Sequence, residues 1–175
     1  MRRSLVCYGA GMLSRLLCLL IALSVAACSG SPTESGAQPD GVLKAFADAQ
    51  QVTLVALHPY PHELEGDASL ERLHGYGVLG RSELRDAATA NQVLALVEQG
   101  IEASQGMVAA CFNPRHGLTV TTSDAVWDIV ICYECLSMQL YRDGERDGGH
   151  LTAESVEPQV TAIFEAAGLS IHRGD

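Results

Sequence analysis

The segment from Cys111 to Cys135 reads CFNPRHGLTVTTSDAVWDIVICYEC and contains the strongest structural pattern of the chain. Apolar residues alternate on both sides of Ser123-Asp124, which indicates two β-strands joined by a tight turn. A hairpin folded at this turn pairs residues whose numbers sum to about 247. Cys135 then lies opposite Phe112, beside Cys111, while Cys132 lies opposite Arg115 and next to His116.

The predicted hairpin gathers one cluster of reactive side chains on adjacent strands: Cys111, Arg115, His116, Cys132 and Cys135. Three chemistries fit this cluster. A disulfide from Cys111 to Cys135 or to Cys132 is favoured. A zinc ion bound by Cys111, His116, Cys132 and Cys135 would have suitable ligand types, although the spacing is not a standard zinc pattern. The third alternative is a set of buried, reduced thiols that behave as small apolar side chains.

A thiol-redox role for Cys132-Tyr-Glu-Cys135 is a less favoured alternative. Apolar residues before and after the motif indicate a continuing strand, in which positions three apart are separated by about 10 Å. A disulfide requires less than about 7 Å between Cα atoms, so only a bulge at Tyr133-Glu134 would allow this pair to close. Arg115 beside Cys132 would favour the thiolate. However, an arginine after proline in a loop is more often a surface or capping residue, and a histidine beside a glycine turn is more often a hydrogen-bonded structural group than a ligand.

The flanking sequence predicts the other elements of the domain. Strands and β-like segments are expected at Val52–Leu57, Tyr76–Leu84, Met107–Phe112, Leu118–Thr122 and Ala125–Tyr141. Helices are expected from Asp86 to about Ser104 and from Ser155 to Gly168, with charged Asp143–Gly149 as a loop. These elements predict an α+β fold, a two-layer sandwich in which two helices pack on one face of an antiparallel sheet.

Two quoted motifs support a family resemblance. The segments Cys111-Phe-Asn-Pro-Arg-His-Gly117 and Ile131-Cys-Tyr-Glu-Cys135 resemble those of an uncharacterised family of small bacterial secreted proteins and lipoproteins. Its members carry a cysteine–phenylalanine–x–proline–arginine/histidine–histidine segment, a C-x-x-C strand and a closing helix. The resemblance covers about Gly75 to Leu169 and departs at Tyr133, where phenylalanine is expected. It implies a shared domain in which Pro114 and the cysteine cluster act together, and it implies no reaction.

The first 27 residues have the pattern of a lipoprotein signal peptide. Arg2, Arg3 and Arg15 precede an uncharged apolar run that is shorter than the roughly 20 residues of a membrane span. The run ends in Val25-Ala-Ala-Cys28, a lipobox, so Cys28 is expected to carry the lipid. Translation from Met1 and translation from Met12 both fit this pattern. The residue after Cys28 is Ser29 and not the aspartate that commonly retains lipoproteins in the inner membrane. This favours placement in the outer membrane.

The mature chain is expected to be an acidic tethered domain. Residues 28–42 are predicted to form a flexible tether and residues 43–175 a single α+β domain. Loss of the three signal arginines takes the net charge from −10 to −13, which disfavours nucleic acid as a partner. His58 and His62 flank prolines and are expected to lie in a loop rather than to bind a metal.

These observations predict a membrane-anchored lipoprotein of the bacterial cell envelope, without catalysis, in which the Cys/His cluster stabilises the sheet. Its partners would be the membrane, through Cys28, and an envelope protein or a small ligand. The alternative is a thiol-redox or metal-binding module that uses Cys132 and Cys135 with Cys111 and His116. Cofactors are not expected, apart from zinc in that alternative. The sequence contains no recognisable hydrolase or nucleotide-binding motif.

Overall fold

A computed structural model describes residues 39–64, 66 and 69–173. These residues form an α+β fold with a curled, seven-stranded antiparallel sheet and three α-helices. The predicted signal peptide, the lipidation site Cys28 and the tether as far as residue 38 lie outside the described residues. Among the helices within them, none is both long enough and apolar enough to cross a bilayer.

The elements follow one another as α1 (Pro39–Ala47), β1 (Gln51–His58), a 3-10 helix (Pro61–Leu64), β2 (Arg72–Leu73), β3 (Tyr76–Glu83), α2 (Ala87–Glu102), β4 (His116–Thr121), β5 (Val126–Cys132), β6 (Ser137–Arg142), β7 (Glu145–Leu151), a second 3-10 helix (Glu154–Val156) and α3 (Glu157–Ala166). The strand order across the sheet is β2-β3-β1-β4-β5-β6-β7. The predicted antiparallel sheet of an α+β fold is therefore confirmed.

The hairpin between β4 and β5 has the register predicted from the sequence. His116 lies opposite Ile131 and Val120 lies opposite Trp127, so that each pair of numbers sums to the expected value. The turn is closed by the Thr122 hydroxyl, which accepts a hydrogen bond from the Ala125 backbone N–H at 3.1 Å. The alternation of apolar residues was sufficient to predict this register, because a shift of one residue would move Trp127 out of the core.

All three helices contribute apolar residues to one core cluster on the sheet. The two expected helices are present and bury apolar residues such as Val97 and Phe164, and Asp86 caps α2 through the backbone N–H groups of Ala88 and Thr89. The prediction of only two helices is wrong. The additional helix, α1, begins at Pro39 inside the expected tether and buries its apolar residues: Val42, Ala45 and Phe46.

Three other predicted segments differ in the structure. Residues 107–112 are irregular, and the expected long β-stretch is divided into β5 and β6 by a turn. The expected charged loop is a hairpin, because Asp143 (φ 51°) and Gly144 (φ 87°) form a tight turn that leads into β7. Ser155 lies in the second 3-10 helix and does not cap α3, which has no side-chain cap.

A smaller apolar cluster lies apart from the main core and contains Val55, Leu57, Leu73, Val78 and Val130. Along β1, Ala56 pairs with Gly80 and Leu57 pairs with Val78, so Leu79 is the extra residue of a β-bulge.

Candidate functional site

A four-residue turn after β5 brings Cys132 and Cys135 together in a disulfide. Their Cα atoms are 5.1 Å apart, and the Leu136 N–H donates to the Tyr133 carbonyl at 3.0 Å. The expectation that the strand continues through Leu136 is wrong, because Leu136 has a positive φ of 56° and the chain reverses there. The favoured disulfide between Cys111 and one of the other two cysteines is not the one formed.

Cys111 nevertheless lies against this disulfide. Its Sγ atom is 3.9 Å from the Sγ atom of Cys135, and the thiol is free and exposed. Two backbone contacts hold the segment in place: the Asn113 N–H donates to Cys135 Sγ at 3.3 Å, and the Ala109 N–H donates to the Cys135 carbonyl at 3.1 Å. The predicted convergence of the three sulfur atoms is therefore observed, although Cys135 lies in a turn and not in a strand.

The disulfide itself is shielded from solvent. Cys132 is 1% exposed and Cys135 is 0% exposed. The Cys135 N–H donates to Cys132 Sγ at 3.1 Å, so each sulfur of the disulfide accepts a backbone hydrogen bond. Of the three cysteines, Cys111 is the exposed residue.

Arg115 lies at the rim of this region and pairs with an acid of the C-x-x-C motif. Its guanidinium donates to the Glu134 carboxylate at 2.8 Å, and the arginine side chain is 16% exposed. Its backbone carbonyl accepts a hydrogen bond from the Leu57 N–H at 3.0 Å. The structure thus gives Arg115 the role of an ion-pair partner across the turn.

The side chains of His116 and Cys132 lie on opposite faces of the sheet. His116 pairs with Ile131 and points into the main core, so strand alternation directs the side chain of Cys132 to the other face. Its Nε2 atom lies 2.9 Å from the Thr161 hydroxyl. Burial, with a smaller effect of the Arg115 charge, lowers the pKa of His116 to about 4. Such a histidine is neutral at physiological pH and has a structural environment.

His116 does not join the three cysteines, so the four ligands of the predicted zinc site are not brought together. Within the described ranges, no three Cys, His, Asp or Glu side chains are grouped so that they could hold a metal ion. His116 contacts the rings of Tyr133 and Phe164 instead, at centroid distances of 5.3 and 5.0 Å. Of the predicted site, the three cysteines lie together in the structure and His116 does not.

An open groove of about 690 Å³ runs along α3 beside Arg115. Its charged lining residues are Arg115, Glu134, Glu154, Glu157, Glu165 and Arg173. Arg173 pairs with Glu165, whereas Glu154 and Glu157 form no ion pair in the part of the chain that the structure describes. Burial and the charge of Glu154 raise the pKa of the Glu157 carboxyl. Acidic residues therefore outnumber basic ones among the charged residues of the groove.

A polar cluster on the sheet was not predicted from the sequence. His74 Nε2 lies 2.8 Å from Asp128 Oδ2, and the Thr119 hydroxyl donates to Asp128 Oδ1 at 2.6 Å. The available signal was Asp128 itself, because an acid in the apolar strand VWDIVIC requires a partner. The identity of that partner, 54 positions away, had no local signal.

Comparisons of the chain with protein-family models, with curated proteins and with solved structures find no match. The resemblance to the uncharacterised family of secreted proteins and lipoproteins therefore remains a prediction based on the two cysteine motifs.

Proposed function

We propose that this protein is a lipid-anchored domain of the bacterial cell envelope that acts by binding a partner rather than by catalysis. The observation that carries the proposal is the buried Cys132–Cys135 disulfide. Structural disulfides persist in oxidising compartments and are rare in the cytosol. This agrees with a chain exported by the signal predicted at residues 1–27.

The disulfide has a structural role in this proposal. It closes the turn between β5 and β6, two neighbouring interior strands of the sheet. Because the closed loop is only four residues long, the expected stabilisation through the unfolded state is about 2 kcal/mol. That contribution to the free energy of unfolding is small compared with the contribution of the buried core. The main effect of the disulfide in this proposal is therefore to hold the turn in one conformation.

The anchor is tested by metabolic labelling with radioactive palmitate. The wild-type chain should incorporate label, and Cys28→Ala should abolish it. Cys18→Ala is the matched control, since this cysteine lies in the signal peptide and should not affect labelling of the mature chain. Label on the Cys28→Ala variant would contradict the anchor. Fractionation of the labelled protein tests the outer-membrane placement, which recovery in the inner membrane would contradict.

The groove along α3 is the proposed contact for an envelope protein or a small ligand. A photo-crosslinking residue in place of Ala162, which is exposed in the groove, should give a discrete cross-linked product in cells. The same residue in place of Gln92, exposed on α2, is the matched control and should give none. Equal yields at the two positions would contradict a specific contact in the groove.

A further inference from the structure

We propose that Cys111, Cys132 and Cys135 form a thiol–disulfide exchange site in which Cys111 gives external thiols access to the buried disulfide. This inference goes beyond the proposed binding function and does not depend on it. It rests on a juxtaposition: an exposed free thiol lies 3.9 Å from one sulfur of a disulfide whose two residues are otherwise shielded.

The first step is an exchange within the chain. The Cys111 thiol loses its proton to water, and its thiolate attacks Sγ of Cys135. The Cys111–Cys135 bond forms and the Cys132–Cys135 bond breaks. The electron pair of the broken bond leaves on Cys132 Sγ, which then takes a proton. The number of disulfides and thiols is unchanged, so the step requires no oxidant or reductant.

The surroundings of the three sulfurs support this direction of attack. The leaving sulfur of Cys132 accepts the Cys135 N–H at 3.1 Å, and such a donor stabilises a developing thiolate. Cys111 lies in the irregular segment between α2 and β4. A shift of about 2 Å would shorten the contact to a bonded distance, and no ladder hydrogen bonds of a strand need to break at Cys111.

The second step involves a thiol-bearing peptide or small thiol as co-reactant. In the exchanged form, one sulfur of the disulfide belongs to the exposed residue Cys111. An external thiolate attacks this sulfur, a mixed disulfide forms on Cys111, and Cys135 leaves with the electron pair and takes a proton. The original disulfide offers external thiols no comparable access, because Cys132 and Cys135 are buried.

Peptide mapping distinguishes the two disulfide forms directly. Trypsin separates Cys111, in the peptide from Asp86 to Arg115, from Cys132 and Cys135, in the peptide from His116 to Arg142. The mature lipoprotein in detergent is incubated at pH 8.5 without oxygen, its thiols are alkylated, and it is digested without reduction. Exchange should join the two peptides and place the alkyl group on Cys132. Absence of the joined peptide at all times would overturn the proposal.

Variants of the same lipoprotein supply a second readout. Cys111→Ser should slow reduction of the disulfide by dithiothreitol at least about tenfold, because thiol attack depends on access. Val108→Ala, an exposed change in the same segment, is the matched control and should leave the rate unaltered.

In Cys132→Ser, oxidation with diamide should join Cys111 to Cys135. Equal reduction rates in wild type and Cys111→Ser, or two free thiols in oxidised Cys132→Ser with an unchanged circular dichroism spectrum, would overturn the proposal.

Discussion

The imidazole of His74 lies 2.8 Å from the carboxylate of Asp128 and stacks on the ring of Tyr141 at a centroid distance of 3.4 Å. The contact ties the turn between β2 and β3 to the middle of β5. The side chains of His74 and Asp128 are only 12% and 13% exposed, so solvent screens this pair less than it screens a surface ion pair.

We predict that His74 and Asp128 are energetically coupled. His74→Ala and Asp128→Asn should each destabilise the fold, and a double-mutant cycle by urea unfolding should give a coupling of about 1–2 kcal/mol. His62→Ala, which changes an exposed histidine, should have little effect. Strictly additive effects of the two substitutions would contradict the predicted coupling.

The stability of the domain should depend on the protonation of His116. Burial lowers the pKa of this residue to about 4 in the folded protein, whereas an unfolded histidine titrates near 6.5. Between these values the unfolded chain binds more protons than the folded chain, so the stabilisation is complete above about pH 6.5 and is lost as the pH falls towards 4. Its magnitude is about 3 kcal/mol.

This dependence can be isolated by comparing urea unfolding of the wild type and His116→Gln at pH 4.5 and pH 7.5. The other titrating groups are common to both proteins, so the wild type should lose more stability at the lower pH. Equal losses in the two proteins would show that His116 does not carry the predicted dependence.

Tyr133→Phe should stabilise the protein. The residue is 2% exposed, and its hydroxyl has no hydrogen-bond partner among the described residues. Removing a buried polar group that lacks a partner should raise the free energy of unfolding by about 1 kcal/mol. Tyr141→Phe is the control, because that hydroxyl donates to Gln139 at 2.8 Å and its loss should not stabilise. A lower stability of Tyr133→Phe would count against this assignment.

Gly100→Ala should destabilise the protein even though alanine is the better helix former. A Cβ atom at this position would lie 2.6 Å from the Thr152 hydroxyl and 3.1 Å from a methyl group of Val156. The expected loss is about 1–3 kcal/mol by overpacking. Gln99→Ala, at the exposed neighbouring position of α2, should be close to neutral, and the thermal midpoints of the two variants can be compared directly.

The sequence predicted those features that depend on local patterns. The alternation around Trp127 defined the β4–β5 register, and Asp86 marked the start of α2. The reversal at Leu136 had no such pattern, because tyrosine, glutamate and leucine do not favour a left-handed backbone and the apolar run continues past it. The convergence of the sulfurs was predictable from the hairpin, whereas the choice of the bonded pair depended on that turn.

β7 is an edge strand of the sheet, and its side chains affect whether a strand of another molecule can pair with it. An outer strand presents free N–H and C=O groups that another chain can pair with. On β7, the exposed side chains of Glu145, Arg146 and Asp147 are charged, and Asp147 is the extra residue of a bulge opposite Leu140 and Tyr141. A second strand could add here only by desolvating these charges and following a bent backbone. The charges and the bulge of β7 therefore oppose edge-to-edge pairing between copies of the domain.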